Sequence, residues 1–365
     1  MNGYLSEAAL RRAFAASGKR HLILTGGRGA GKTTLIKTLC PEILPGITTR
    51  AVPKEAVYVR NNLTGEQKRI GVFDPSIPGP ENRMKPDGLK EHLLPMLESV
   101  GACSGEWVTA DEIGYLESED EDCRRACRSL FEKKRVLAVL RKQDTPLCRE
   151  ILARDDVFIA DLDTPFGSMG CVIMASGLGS RFASGGSGNK LTADFCGKPL
   201  ISWVMDTASG LFLRITVVTR YEEVVRIAEE RGISAVFHSL PQRSDTVRLG
   251  LEKMHGTDGC LFCQGDQPLL TRESAAAMLL CGRNDGNSAY RLAWNGTGAS
   301  PVLFPSQMYP DLMNLPDGKG GGWLLKKYPD RVKCVEAADP SELADIDTPE
   351  DLEKLRKIQK RREEK

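Results

Sequence analysis

A chain that twice runs an apolar strand into a glycine-rich loop is confined to folds in which strand ends present backbone amides to an anion. Here Leu22-Ile23-Leu24 leads into Gly26-Gly27-Arg28-Gly29-Ala30-Gly31-Lys32-Thr33. Further on, Val172-Ile173-Met174 leads into Ala175-Ser176-Gly177-Leu178-Gly179-Ser180-Arg181-Phe182. Glycine tolerates positive φ and close approach, so successive N–H groups can converge on a polyphosphate. Two such loops in separate halves of a 365-residue chain imply two nucleotide sites. Single cores rarely grow past roughly 250–300 residues, so the length also favours two domains.

The remaining composition mainly excludes. Net charge is +1, from 50 basic and 49 acidic residues, so no global field argues for nucleic acid or a membrane surface. The longest apolar runs are strand-sized, too short to span a bilayer. Met1 to Arg20 lacks the apolar core of a secretory signal. Eleven cysteines, odd in number and scattered, read as reduced, mostly buried thiols of a cytoplasmic protein. Cys260-Leu-Phe-Cys263 has metal or redox spacing, but it lies in an apolar strand-like run and reads as core. The four histidines have no zinc-like spacing and are expected to be structural or exposed.

Periodicity alternates strand and helix throughout, which predicts an α/β fold. Residues 1–166 are expected to form a P-loop domain with a parallel-rich sheet, interrupted over 46–86 by a small antiparallel excursion. Residues 167–365 are expected to form a Rossmann-like domain with a mixed sheet. A short helix over 5–17 is counted with the first domain, and the seam falls at Thr164-Pro165-Phe166-Gly167-Ser168. Asp161-Leu-Asp-Thr-Pro165 is echoed by Asp345-Ile-Asp-Thr-Pro349. Without sustained periodicity around it, the echo reads as coincidence.

Gly-x-x-x-x-Gly-Lys-Thr between a strand and a helix satisfies the context of a P-loop. Gly26, Gly29 and Gly31 supply the turn, Lys32 neutralises β/γ oxygens, and Thr33, with Thr34 beside it, faces the phosphates. Thr33 and, through water, Asp111 would hold Mg²⁺. Glu112 would orient or deprotonate the attacking water. Asp111-Glu112 also reads as a simple helix N-terminal charge pair. Arg141 either stabilises the departing phosphate or is merely exposed. With Asp111-Glu112-Ile113-Gly114 and Glu117, the loop resembles the small P-loop nucleoside-triphosphatase family first described in thermophiles. Arg69-Ile70-Gly71-Val72-Phe73 is a looser match. Tyr115-Leu116-Glu117 stands where Met-Glu usually follows. The resemblance implies ATP or GTP hydrolysis over about 20–165.

The second loop has no Gly-Lys-Thr. Arg181 and Lys190 could compensate a triphosphate, and nucleotidyl transfer further asks for carboxylates at strand ends to hold a metal. Asp266 in Gln264-Gly265-Asp266-Gln267-Pro268 is one candidate. Asp345 and Asp347 offer the other. With Asn189-Lys190-Leu191, Gly197-Lys198-Pro199-Leu200, Pro301-Val302-Leu303-Phe304 and Asp345-Ile346-Asp347-Thr348-Pro349-Glu350-Asp351-Leu352, this region resembles MobA-like nucleotidyltransferases over about 170–356. It is most similar to the molybdenum cofactor cytidylyltransferases. That resemblance implies transfer of CMP from CTP to the phosphate of molybdopterin, for a molybdoenzyme client. Arg181 and Lys190 would grip the triphosphate, backbone groups of Ala175 and Gly177 would approach the nucleotide, and Asp266 with Asp347 would hold Mg²⁺. Ala-Ser-Gly in place of Ala-Gly-Gly, and Asp-Ile-Asp in place of Asn-x-Asn, favour cytidine over guanine. Residues 183–188 lengthen the loop, as a lid or without consequence. Two alternatives are a sugar or alcohol phosphate as acceptor, and a nucleotide-regulated cofactor-insertion factor.

Overall fold

The computed structural model describes residues 5–40, 42–77, 84–183, 189–212 and 214–364. They form two compact units, residues 18–165 and residues 166–364 together with 5–17. The loop insertion at 184–188 falls outside the described residues.

The first unit is built on eight strands: β1 (His21–Thr25), β2 (Gly46–Val52), β3 (Ala56–Asn61), β4 (Gln67–Phe73), β5 (Met84–Pro86), β6 (Trp107–Ile113), β7 (Arg135–Leu140) and β8 (Val157–Asp161). Their order is β5-β4-β3-β2-β6-β7-β1-β8. The β2–β6–β7–β1–β8 half is parallel, and β2 to β5 form the antiparallel excursion. The parallel strands are buried on both faces, which is why they read as continuous apolar runs. Ile23, Val136, Ala138 and Leu140 pack with Leu97, Leu130, Phe131 and Leu147 from the helices on one face. Leu22, Leu24, Leu137 and Val139 alternate to the other face and are also buried.

The second unit contains β9 (Met169–Ala175), a hairpin of β10 (Asp194–Phe195) and β11 (Lys198–Pro199), β12 (Arg214–Thr219), β13 (Ser234–Phe237), β14 (Gly259–Gln264), β15 (Ala289–Trp294), β16 (Thr297–Pro305) and β17 (Val332–Glu336). The main sheet runs β13-β12-β9-β14-β16-β15-β17 and is mixed, because β16 is antiparallel to both its neighbours. Central β9 is parallel to β12 and β14. The loops after β9 and β14 therefore leave the same edge, where open α/β sheets hold ligands. In the Gly-Lys-Pro-Leu segment, Cys196 and Gly197 both take positive φ (50° and 87°) to turn the hairpin.

One expectation is corrected. The helix Glu7–Ser17 belongs to the second unit, not the first. Ala9, Leu10 and Ala13 are fully buried. Arg12 Nη1 donates to Ser274 Oγ at 2.7 Å, and Cys281 Sγ lies 3.5 Å from the carbonyl of Ala13. An amphipathic pattern specifies a helix and its buried face, not which neighbour covers that face. Sequence periodicity also overlooked β17 and the helix Gly321–Lys327, which follows the glycine-rich turn. All eleven cysteines are free thiols; Cys260 and Cys263 are buried in β14. Among the described residues, no helix is long and apolar enough to cross a membrane.

Candidate nucleotide sites

The front loop joins β1 to the helix Lys32–Leu39. Gly26, Gly29 and Gly31 take φ of 145°, 81° and 92°, values that a side chain would strain. Lys32 Nζ donates to the carbonyls of Gly26 and Gly27, both at 2.7 Å, and its charge also acts on Asp111 and Asp163. Thr33 and Thr34 are exposed at the helix start. The Thr33 side chain lies near enough to Asp111 to draw its carboxyl down, which brings together the two proposed metal ligands. Asp111 is buried, and burial, then the charge of Glu112, pushes its carboxyl up.

Asp111 and Glu112 lie within β6 rather than after it, so they are not a helix N-terminal pair. The β6–β7 register shifts between Ala110 and Ile113, and Glu112 takes φ 71°. Such a bulge re-aims side chains at a strand end, and a non-glycine residue held at positive φ is often part of a site. Glu112 Oε2 accepts from Arg141 Nη2 at 2.6 Å, so acid and arginine neutralise each other. Gly114 sits in a tight place: a Cβ there would stand 3.1 Å from Arg141 Cδ and from Gln143 Oε1, so those side chains would have to shift. Glu117 is fully buried and accepts from the Gly114 N–H at 2.8 Å, which fixes the turn.

The rear loop leaves β9 at Ala175. Ser176 Oγ donates to the carbonyl of Val218 at 3.0 Å and lies 2.8 Å from His238 Nε2, so this serine pins the loop. The Ala175 carbonyl accepts from Thr219 Oγ1, and the Gly177 carbonyl accepts from Tyr221 Oη at 2.6 Å. A Cβ on Gly177 would meet open space, so the loop faces a cleft. The cleft has a volume of about 490 Å³, and Arg181, Lys190, Arg220, Arg243, Asp266, Asp345 and Asp347 line it.

Four chain segments meet there. Lys190 Nζ donates to Asp266 Oδ2 (2.5 Å), the Ile346 carbonyl (3.0 Å) and Asp347 Oδ1 (3.2 Å). Arg181 Nη1 donates to Asp347 Oδ2 at 2.8 Å. The Ile346 N–H donates to the Asp266 carbonyl at 3.0 Å, stitching the two acidic segments together. Asp347 precedes a capping box in which Thr348 and Asp351 bond reciprocally, and the Asp347 N–H also donates to Asp351. Asp345 is exposed at the cleft rim, and its partial desolvation there, then the charge of Asp266, pushes its carboxyl up. The donor set of Asp266, Asp345 and Asp347 is all oxygen and suits Mg²⁺, which commonly takes one or two carboxylates plus substrate phosphates. Among the described residues, no three His, Cys, Asp or Glu side chains are grouped to hold a metal as they stand, and Lys190 fills the centre of the acidic cluster.

Sequence reasoning missed several participants. A second hollow of about 380 Å³ shares Met174, Arg243, Gln264 and Ser300 with the cleft. Arg243, Arg291, Lys319 and Lys326 line it over Phe262, Phe304 and Trp323, with no carboxylate in its wall. Scattered cations on four separate elements leave no linear motif. The second aspartate of each Asp-x-Asp-Thr-Pro segment lies against a glycine loop or a nearby cation. Asp163 Oδ2 accepts from the Gly27 N–H at 2.8 Å and from Lys142 at 2.7 Å, while Asp347 accepts from Arg181 and Lys190.

Comparisons with known proteins divide the chain at the same place. Residues 171–332 match the MobA-like NTP transferase domain, and residues 21–165 match an NTPase family. The purine catabolism protein PucB of Bacillus subtilis is 28% identical over 206 residues, covering 51% of this chain and 95% of that protein. Nucleoside-triphosphatase THEP1 of Thermotoga maritima is 27% identical over 158 residues, covering 39% of this chain and 86% of that protein. A nucleotidyl transferase structure from Methanothermobacter thermautotroptrophicus aligns with TM-score 0.46 at 24% identity, over 53% of this chain and 98% of its own. The bifunctional protein GlmU of Gluconacetobacter diazotrophicus is 30% identical over 125 residues, 32% of this chain, and the match spans only 25% of GlmU. The chain thus joins a nucleoside-triphosphatase domain to a nucleotidyltransferase domain.

Proposed function

We propose that the second unit transfers CMP from CTP to a phosphate-bearing acceptor, with molybdopterin as that acceptor, and that the first unit hydrolyses ATP or GTP. The observation that carries the transferase reading is the junction of two hollows at Arg243. One is lined by Arg181, Lys190 and the carboxylates, and the other by cations over an aromatic floor. A phosphate oxygen of the acceptor attacks the α-phosphorus of CTP in line. A new P–O bond forms, the bond to the β-phosphate bridging oxygen breaks, and pyrophosphate leaves with the electron pair. Positioning and charge neutralisation are then the whole task, and no side-chain nucleophile is needed.

Asp266 and Asp347 are the residues that would hold Mg²⁺, with Asp345 beside them. When bound, the ion supplies positive charge to the phosphate oxygens. Arg181 and Lys190 hold the outer phosphates, and Arg243 spans nucleotide and acceptor. The cation-lined, acid-free hollow over aromatic rings favours an anionic acceptor with a flat ring body over a sugar phosphate. Sugar hydroxyls are usually met by carboxylates and amides able to accept their protons.

The test is pyrophosphate release by the full chain with CTP and molybdopterin, and its loss in Asp266→Ala. Release that requires a sugar phosphate instead, or no release with CTP, GTP, ATP or UTP, sinks the proposal. For the first unit, phosphate release from ATP or GTP that persists in Lys32→Ala removes the P-loop assignment.

A further inference from the structure

An ammonium group has three N–H donors. Lys190 directs bonds to three acceptors: Asp266 Oδ2, Asp347 Oδ1 and the Ile346 carbonyl. A lysine so placed has no donor left for a phosphate. The same three oxygens are hard donors at the ends of adjoining segments, where a divalent cation would sit. The cleft holds three carboxylates, Asp266, Asp345 and Asp347, against the cations Lys190, Arg181, Arg220 and Arg243; of these charged residues only Lys190 is buried, and the two cations bonded to the carboxylates are Lys190 and Arg181.

We propose that Lys190 is a built-in counter-ion. It fills the cation position of Asp266 and Asp347 in the nucleotide-free protein and vacates it when a triphosphate draws it away. The inference rests on reading those aspartates as the metal ligands. It adds an order of events: nucleotide first, divalent cation second. Before nucleotide arrives, a metal must displace a buried ammonium that already compensates the carboxylates. Afterwards Asp266 has lost its bonded cation and Asp347 keeps only its bond to Arg181, so a divalent ion is favoured there. Nucleotide and metal affinities are then reciprocally coupled through one side chain. The front site lacks the device, since Lys32 is held by two carbonyls that no metal ligand shares.

CTP chelates metals by itself, so coupling in its presence decides nothing, and the test is made without nucleotide. Mn²⁺ is titrated into the full chain and followed by electron paramagnetic resonance. A Thr33→Val, Asp111→Asn background silences the front site. Lys190→Gln should bind one Mn²⁺ roughly tenfold or more tightly than the parent, as expected for removing a directly bonded buried cation. Adding Asp266→Asn should abolish that gain. Lys190→Arg, which keeps the charge, should exclude Mn²⁺ as the parent does. If Lys190→Gln is poorly folded, Mn²⁺ should raise its melting temperature more than that of the parent. Equal Mn²⁺ affinity in parent and Lys190→Gln overturns the inference, as does an equal gain in Lys190→Arg. Pyrophosphate release by the wild-type chain is measured in parallel. Release without the Mn²⁺ effect leaves the transferase standing and removes the counter-ion role. The Mn²⁺ effect without release does the opposite.

Discussion

The two glycine loops show two ways of building a phosphate site. The front loop is nearly self-contained: within eight consecutive residues it supplies the turn, the amides, the lysine and the threonine, and Lys32 leans on its own loop's carbonyls. The rear loop is incomplete alone. Its lysine is satisfied by carboxylates brought from positions 266 and 347 and by the Ile346 carbonyl, and its serine is pinned by a histidine from after β13. A contiguous site survives wherever its strand and helix form. An assembled site exists only when the whole sheet has closed.

The comparison can be broken in five ways. The largest effect is expected at the assembled site, where Asp266→Ala should lower CTP-dependent pyrophosphate release by about 10³-fold or more, because an unneutralised triphosphate is left beside the attack line. Pyrophosphate assays showing less than a tenfold loss would contradict the assembled-site view. At the contiguous site, Lys32→Ala should reduce phosphate release from ATP or GTP by about 10²-fold, the scale of losing one charged phosphate partner. A malachite-green assay reads it directly.

Third comes Leu10→Ala, which should destabilise the rear unit by about 3 kcal/mol through a buried cavity, although residue 10 precedes the front unit in sequence. Calorimetry showing that only the front transition moves would return the helix Glu7–Ser17 to the first unit. Fourth is a pH effect on β1. Burial lowers His21 to about 4, against the opposing pull of Asp156. Its Nδ1 accepts the Val136 N–H at 3.1 Å, so the neutral ring is the one built in. Between about pH 6.5 and 4 the unfolded chain takes up a proton that the folded chain refuses, so stability falls as pH drops through that window, by at most about 3 kcal/mol. Melting curves across that range should lose this slope in His21→Gln. The smallest effect is expected from Thr348→Ala, which removes a helix cap beside Asp347 and should cost about 1 kcal/mol. A parallel rise in the KM for CTP would show that the cap also positions the carboxylate.

Legibility followed locality. The P-loop, the DEIG turn and the Ala-Ser-Gly loop could be read because each is a run of neighbours whose chemistry needs that spacing. Even so, the sequence placed Asp111 and Glu112 after a strand. Only the β6–β7 register revealed the bulge that turns Glu112 toward Arg141. The hollow at Arg243 and Arg291 had no linear trace, because its cations come from separate elements whose individual patterns look like ordinary surface charge.

Sequence alone determined the α/β class, the strands that end in each loop and the glycine-rich character of the loops, since these depend on backbone freedom and local hydrophobic period. Tertiary structure decided which unit claims the first helix, which carboxylates reach Lys190 and where the two hollows join. Those are contacts between residues far apart in the chain, and burial and charge select them only after the sheet has brought its strand ends to one edge.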